Sequence, residues 1–469
     1  MAGASKQRQI AGDGQRPTAA LLDFALKLQW RDLDEDIRHE TKRHLLDTLG
    51  VMVAGGAGDV ASKADAVLTT IRPEGGSVPV PGRARRVDRL DAAWLGGTGA
   101  HGIELDDGYR EGSVHPGVAV VPALLSAAHG GKVSGTRLLE AMVAGYEAIT
   151  AIARASHPMA RQRGFHPTGI VGPLGAALAT ARLFDLSRAQ TANAVGLAAS
   201  ASAGLFAFLS GGGDVKRLHA GHAAREGLTA ALLARGDVEG PPDVLEGPDG
   251  FFEAFPGDAE RVAANFRLPP AAPFGVVDCY FKPYACCRHL QPAVEAMMTL
   301  CRDHGLGERD VQRIDVETYA IAASHAETGW GDFASAQLSF PFIMALGLRY
   351  GRIDLKHFED DIRADAGLTD ICKRVHVRTA ADLDAMYPSR RPARVKLLTT
   401  KGKFSREAHE AIGSRDLPLD DDGLDRKFTD LVAPVRGKEA AEQLLAALWD
   451  IERVADVSVL LDLAALPAT

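Results

Sequence analysis

The stretch Gly211-Gly212-Gly213-Asp214-Val215-Lys216-Arg217-Leu218-His219-Ala220-Gly221-His222-Ala223-Ala224-Arg225 decides how this chain is organised. The glycine triplet leads into Asp214, a residue type that favours the N-cap of a helix. The pattern then predicts a helix as far as about Arg235, with Gly236 in the C-cap position. Residues 191–213 contain no charged residue and are rich in Ala, Ser and Gly, so we expect the chain to reach this turn through a tightly packed interior.

The first turn of this predicted helix carries Lys216, Arg217 and His219. Cations are unfavourable at a helix N-terminus, by about 0.3–1 kcal/mol each, because the helix dipole is already positive there. Free backbone N–H groups and several cationic side chains together are typical of an anion-binding site. The alternative is a solvated, basic start of a helix.

Outward from this stretch, helical periodicity dominates both ends of the chain, and no βαβ alternation is present. The Pro-rich residues 266–275 mark a boundary, after which strand patterns occur at 311–319, 374–378, 393–400 and 403–409. We therefore predict a mostly α fold, with a large all-helical domain built from both chain ends and a smaller α+β lid domain. The predicted bounds are 18–270 and 415–469 for the helical domain, 275–410 for the lid domain, and 1–17 for a disordered tail.

Composition excludes several classes of protein. A net charge of -8 without a long basic run argues against a nucleic-acid partner. No apolar stretch is long enough for a membrane span, and the polar N-terminus lacks the apolar core of a secretion signal, so we expect a cytoplasmic protein. The five cysteines have no regular spacing, which favours neither a disulfide framework nor a zinc or iron–sulfur site.

A loop crowded with carboxylates follows the helix predicted to end near residue 99. Glu104, Asp106 and Asp107 lie within four positions, and crowded carboxylates raise one another's pKa, which can equip a general acid or base. The alternative is a helix C-terminal loop with solvated acids. Two histidines, His115 and His166, each precede a proline and a buried helix, so each is held on a loop; the alternative for each is simple structural packing.

A second cationic loop precedes the helix predicted over 291–304. It carries Lys282, Arg288 and His289, and it is therefore a second candidate anion site. Cys287 lies beside these cations, and we interpret it as a residue that lines the pocket rather than as a reactive thiol.

At this point the chain resembles the MmgE/PrpD family. Four motifs occur in the family's order and span nearly the whole chain: Glu104-Leu-Asp-Asp107 with His115-Pro116, Gly164-Phe-His166-Pro-Thr168-Gly169, Lys216-Arg-Leu-His219-Ala-Gly-His-Ala-Ala224, and Lys282-Pro-Tyr-Ala-Cys-Cys-Arg288-His289. The resemblance implies a helical domain made from both chain ends, an α+β lid and a homodimer. It also implies chemistry on small polycarboxylates without a metal or other cofactor. Known members include 2-methylcitrate dehydratases, cis-aconitate decarboxylases and iminodisuccinate epimerases.

The family site falls on catalytic candidates Glu104, His115, His166 and Lys216, and on Lys282 as a substrate-binding residue. The further candidates for substrate binding are Asp107, Arg217, His219, Cys287, Arg288 and His289. The chain also departs from the cis-aconitate decarboxylases, since Cys287 stands in place of a lid histidine, Phe342 in place of a tyrosine, and Glu104 in place of an aspartate. These departures remove two proton-handling groups and argue against decarboxylation.

Two cationic, histidine-bearing loops from different domains, facing each other across a cleft, suit a di- or tricarboxylate substrate. Histidines supply an acid and a base near neutral pH. We therefore predict a dehydratase-like carbon–oxygen lyase, with 2-methylcitrate dehydratase as the nearest type. The alternatives are a cis-aconitate decarboxylase, an iminodisuccinate-type epimerase and, from a different class, a non-catalytic dimer that binds small anions.

Overall fold

The computed structural model describes residues 16–210 and 213–467. Residues 1–15 of the predicted tail, and Gly211 and Gly212 of the glycine triplet, lie outside the described residues. The predicted mostly α fold with a smaller α+β part is confirmed, because helices dominate and the sheets are small. The long helices of the first part are α1 (Pro17–Lys27), α2 (Glu35–Gly56), α3 (Asp59–Ile71), α4 (Arg89–Ala100), α5 (Gly117–Ala128), α6 (Gly135–Ser156), α7 (Pro167–Leu183), α8 (Arg188–Ser200) and α9 (Asp214–Arg235).

Helix α9 lies at the centre of the helical part and packs against α4, α5, α7 and α8. Its glycines allow this close packing. A Cβ atom on Gly221 would lie 2.4 Å from the carbonyl oxygen of Trp94 in α4, and one on Gly227 would lie 2.4 Å from Cβ of Ala176 in α7. Contacts this short admit no side chain, so the sequence that starts at the glycine triplet forms the packing centre of the fold.

The starts of three helices differ from the predictions. Gly213, not Asp214, occupies the N-cap of α9, because the Asp214 carboxylate instead accepts from Arg217 at 3.3 Å. The apolar pattern of residues 171–183 predicts a helix that begins at Val171, but α7 begins at Pro167, four residues earlier, and α1 begins at the buried Pro17, inside the predicted tail. In both of these helices proline takes the first position, where its missing N–H costs nothing.

The C-terminal helices return to the helical part, as predicted. They are α12 (Asp421–Arg436), α13 (Lys438–Trp449) and a short helix over Ser458–Ala464. In the chain they follow the two lid helices described below. Phe428 of α12 packs on Gly50 of α2, where an added Cβ would lie 2.8 Å from its ring. Leu424, Leu444 and Leu461 belong to the same hydrophobic core as the N-terminal helices, so both ends of the chain bury their apolar surface together.

The lid contains a four-stranded sheet in the order β6-β5-β7-β8. Strand β5 (Val311–Thr318) pairs in parallel with β6 (Val375–Thr379) and antiparallel with β7 (Ala393–Thr399), which forms a hairpin with β8 (Gly402–Ala408). Helices α10 (Gln291–Asp303) and α11 (Phe340–Tyr350) pack with this sheet around a second hydrophobic core. Phe342 is buried in that core, stacked on Trp330 with ring centroids 6.0 Å apart.

A two-stranded sheet connects the helical part to the lid. Strand β3 (Gly108–Tyr109) pairs antiparallel with β4 (Cys279–Tyr280). A further two-stranded pair, β1 (Val78–Pro79) with β2 (Arg86–Val87), lies between α3 and α4. The β3–β4 pair places the carboxylate loop directly beside the loop that carries Lys282, and it thereby builds the candidate site. Across the two described ranges, no helix has both the length and the apolar character needed to cross a membrane.

Candidate active site

The carboxylate loop between α4 and β3 forms the centre of the site. Glu104 and Asp106 are both buried, and Glu104 adopts a left-handed backbone conformation with φ of 55°. A residue with a Cβ rarely adopts this conformation, and such outliers persist only where the surrounding structure enforces them. Around this turn, the carboxylates of Glu104 and Asp106 both contact Lys282.

Two lysines from different parts of the fold bind these carboxylates. Lys282, which follows β4, lies 3.1 Å from Oδ1 of Asp106 and 3.5 Å from Oε2 of Glu104. Lys216, in the first turn of α9, pairs with Oε1 of Glu104. The cation that is unfavourable at the start of α9 is therefore balanced by a carboxylate of the protein itself. The Lys216 side chain retains 15% exposure against 1% for Lys282, so Lys216 is the lysine that a ligand can reach.

Burial acts to raise the pKa of both carboxyl groups, but the neighbouring lysines outweigh burial. Lys216 and Lys282 hold the pKa of Glu104 well below its usual value, and Lys282 with His115 and His101 does the same for Asp106. Both groups are therefore carboxylates at neutral pH. This result differs from our expectation that crowding raises a carboxyl pKa here, because the lysines come from distant parts of the sequence.

Three histidines surround the Asp106 side of the cluster. Nδ1 of His101 lies 2.8 Å from Oδ2 of Asp106, and Nδ1 of His115 lies 2.9 Å from the same oxygen. The His166 ring stacks on His101 with centroids 6.0 Å apart, and its Nδ1 lies 3.1 Å from Nδ1 of His219. The structure thus brings His115, His166 and His219 together, as their motifs predict, and adds His101.

Burial lowers the pKa of the inner histidines. The pKa of His101 falls to about 4, chiefly because the ring is fully buried, although Asp106 acts in the opposite direction. The pKa of His166 lies well below its usual value because of burial, with further contributions from His101 and Lys216. These histidines are neutral at pH 7, which is the state required of a proton acceptor.

We expect the free energy of unfolding to fall as the pH is lowered from 6.5 to about 4 because of His101. In this window the unfolded chain binds a proton that the buried ring does not, so stability is present above pH 6.5 and is lost as the pH falls. One such group contributes at most about 3 kcal/mol. Urea denaturation at several pH values measures the effect, and His101→Gln is expected to flatten the slope. The exposed His304→Gln is the control and leaves the slope unchanged; an equal slope in His101→Gln contradicts the assignment.

Three predicted binding residues instead support the fold around the site. Asp107 accepts from the Gly117 N–H at 3.0 Å and from the Tyr146 hydroxyl at 2.8 Å, so it holds the start of α5. Arg288 donates to backbone carbonyls, including Ala411 O at 2.9 Å and Ile412 O at 2.7 Å.

Arg217 lies 3.3 Å from both Asp214 Oδ1 and Gln337 Oε1. The contacts of Asp107, Arg217 and Arg288 are therefore with the protein itself, and their role in substrate binding stays a prediction.

The lid contributes a second group of titratable side chains. Sγ of Cys287 lies 4.0 Å from Nε2 of His325, the His325 ring stacks on His289 with centroids 6.2 Å apart, and Nδ1 of His289 bonds to the Tyr319 hydroxyl. Of these, sequence reasoning missed His325 and Tyr319. Tyr319 is a lid tyrosine next to a titratable group, whereas Phe342, aligned with the family's tyrosine, lies in the lid core.

His101 was also missed as a site residue, and Asp106 was named among the crowded carboxylates but not among the site candidates. A histidine five positions before an aspartate in this loop is the signal that could have found the pair. His325 left no comparable signal, because it is 38 positions from Cys287 and reaches it only through the fold of the lid.

Two groups of side chains have the composition of a metal site. His101, Asp106 and His115 form one, and His44, Asp107 and Cys279 form the other. In the first group the Lys282 ammonium already lies 3.1 Å from Asp106, so a metal ion there would experience repulsion from a neighbouring cation. The second group is fully buried and surrounds the hydrogen bonds by which Asp107 holds α5.

Histidines, carboxylates and lysines from the helical part and from the lid thus form one largely buried cluster. The chain belongs to the MmgE/PrpD family: the model of the MmgE/PrpD N-terminal domain matches residues 19–262, and that of the C-terminal domain matches residues 284–451. It is 28% identical to the cis-aconitate decarboxylase-like protein oryM of Aspergillus oryzae, over 95% of this chain and 96% of the relative.

Two further relatives are cis-aconitate decarboxylases. The Aspergillus terreus protein is 25% identical over 95% of each chain, and the Homo sapiens protein is 25% identical over 91% of this chain and 90% of its own length. The family and these relatives point to an enzyme of lyase type, and they leave the kind of lyase open.

Proposed function

We propose that the protein is a metal-independent lyase that moves a proton on a small di- or tricarboxylate and eliminates water from it. The observation that carries this proposal is the partly exposed Lys216 beside the neutral, buried His166. A cation next to a proton acceptor is what the removal of a proton beside a carboxylate requires, because negative charge then builds up on that carboxylate.

The residues support definite roles in such a reaction. Lys216 binds the substrate carboxylate, while Lys282, fully buried against Asp106 and Glu104, keeps those groups ionised. When Nδ1–H of His166 donates to His219, the Nε2 atom of His166 carries a free lone pair. His166 then takes the proton from the carbon beside the carboxylate, the C–H electron pair forms the double bond, and the C–O bond breaks as the leaving hydroxyl gains a proton from an acid of the site and departs as water. We propose His115, whose Nδ1 bonds to Asp107 O at 2.5 Å and lies 2.9 Å from Oδ2 of Asp106, as a second proton carrier.

Decarboxylation is the second candidate function, and the names of the relatives favour it. It needs the same cation and the same positioned proton carriers. We place dehydration first because Phe342, buried in the lid core, stands where the cis-aconitate decarboxylases have a tyrosine. The family resemblance also supports a homodimer, which sedimentation at micromolar protein concentration measures.

We expect turnover of a hydroxylated polycarboxylate after exhaustive dialysis against a strong chelator. The measurement is proton NMR in deuterated water with a panel of small di- and tricarboxylates. An alkene product with loss of water identifies a dehydratase, loss of carbon dioxide a decarboxylase, and deuterium exchange without net conversion an epimerase. Activity that disappears on dialysis and returns with a divalent metal contradicts metal independence and favours the His101, Asp106 and His115 group as a metal site. No conversion of any panel member contradicts the enzyme proposal and favours an anion-binding protein.

A further inference from the structure

We propose that Cys287 and His325 form the acid of this site, in which His325 supplies a proton to Cys287 and the Cys287 thiol delivers it to the substrate. The inference rests on the proposed proton-transfer function and adds a group on the lid that acts opposite the histidines of the helical part. Dehydration, decarboxylation and epimerisation all need such a donor, because in each a substrate atom gains a proton.

The geometry fixes Cys287 at the edge of the cluster. Its backbone N–H donates to Gln337 O at 3.0 Å, and the Gln337 side chain donates to Ile103 O at 2.7 Å, next to Glu104. Gln337 therefore binds the Cys287 loop to the carboxylate loop. Cys287 is partly exposed, whereas His325 behind it is nearly buried, so the sulfur is the atom of the pair that a ligand can meet.

Nε2 of His325 faces the Cys287 sulfur at 4.0 Å, and the His325 ring stacks on His289 with centroids 6.2 Å apart. A thiol and a histidine at this distance can exchange a proton, which gives the imidazolium–thiolate form of the pair. The proton that reaches the substrate must then pass through the sulfur.

The charges around the pair favour this ionised form. Burial acts to raise the pKa of the Cys287 thiol, and Glu104 acts in the same direction, but His325 and Lys216 lower it below its usual value. Burial acts to lower the pKa of His325, but Cys287 and Glu104 raise it above its usual value. The neighbouring His289 is neutral, because burial and the charges of Arg391 and His325 hold its pKa well below the usual value.

The charge of Lys216 lowers the pKa of His166 in the helical part and of Cys287 in the lid alike. The site therefore holds a neutral base and a charged acid that are both influenced by Lys216. One site can keep both an acid and a base at neutral pH when the surroundings of the two groups push their pKa values apart. In the elimination, the Cys287 thiolate takes the proton from Nε2 of His325, and the resulting thiol gives that proton to the leaving hydroxyl, which departs as water. The pair ends as a thiolate and a neutral imidazole, with one proton fewer than before.

The pair can be tested without any substrate. The measurement is the rate of alkylation of each cysteine by iodoacetamide as a function of pH, read by mass spectrometry, in the wild type and in His325→Gln. We expect the Cys287 rate to titrate below the pH of an ordinary thiol, near 8.5, and the midpoint to rise in His325→Gln. Cys301 is the internal control, since burial raises its pKa to about 11 and it lies away from the pair. Equal Cys287 midpoints in the two proteins overturn the inference.

Kinetics on an accepted substrate then separate this inference from the proposed function. We expect Cys287→Ala and His325→Gln each to lower kcat by about a hundredfold or more, the usual scale for a lost general acid, with KM changed only a few-fold. Full kcat in both variants overturns the inference and leaves the proposed function standing. The opposite outcome is a protein in which Cys287 alkylation has a low midpoint pH but no polycarboxylate is converted. The Cys287–His325 ion pair then exists, but the proposed function fails, and so does the proton delivery that rests on it.

Discussion

Replacing His166 with alanine is expected to lower kcat by about a hundredfold or more while KM changes little. The ring is buried against His101 and His219, and the proposed base is lost without removing either lysine that binds anions. General-base catalysis is usually worth about 10²–10⁴-fold in rate, so the effect belongs in kcat. Steady-state kinetics on the substrate found in the panel measure it.

The matched control for this variant is His222→Ala. His222 lies in the same helix as His219, but it is exposed and contacts Trp94 edge-on, so its loss is expected to leave kcat within a few-fold. In the wild type, we expect kcat to fall on the acid side at a pH below the usual pKa range of histidine. The reason is that burial, His101 and Lys216 lower the pKa of His166. A kcat for His166→Ala within tenfold of the wild type would assign the ring a packing role.

Replacing Lys282 with methionine is expected to destabilise the folded protein by about 3–5 kcal/mol at pH 7, because the change leaves buried carboxylates without their cation. Lys282 has 1% side-chain exposure and contacts both Asp106 and Glu104. Denaturation in urea measures the loss. We also expect this variant to be inactive, since the charge balance around His101 and His115 changes with it.

The pH dependence of stability distinguishes the loss of this charge balance from a simple packing defect. In the wild type, the depressed pKa values of Glu104 and Asp106 contribute stability that is present above about pH 4. That contribution is lost as the pH falls through the lower folded-state values. Lys282→Met lacks this contribution. The difference in the free energy of unfolding between variant and wild type should therefore be largest at neutral pH and should shrink in acid.

Lys216→Met is the control for Lys282→Met. Lys216 is partly exposed, and Glu104 keeps Lys282 as a partner when Lys216 is removed, so a smaller loss of stability is expected together with weaker substrate binding. Equal stability of Lys282→Met and wild type across the whole pH range would contradict the charge-balance argument.

Much of the fold could be predicted because it is local. The helical periodicity around Leu138 and Ile149 in α6, and the alternation in β5 and β7, identify elements whose bounds agree with the structure to within a few residues. The division of the chain at particular residues into domains remains a prediction. The starts of α7 and α9 were misplaced because a proline or a glycine at a helix start is decided by contacts that the local pattern does not contain.

The candidate site also has a part that the sequence predicts and a part that only the tertiary structure shows. The sequence by itself determined the motifs, and with them Glu104, His115, His166, Lys216, His219 and Lys282, because each lies in a short segment whose residue types carry the signal. Only the tertiary structure decided what these residues do. Pairing of β3 with β4 brings Lys282 to Asp106, 176 positions away in the chain, and the lid fold brings His325 to Cys287. Charge interactions decay over a few ångströms of space and not along the sequence, so the ionisation of the site depends on contacts that no local pattern records.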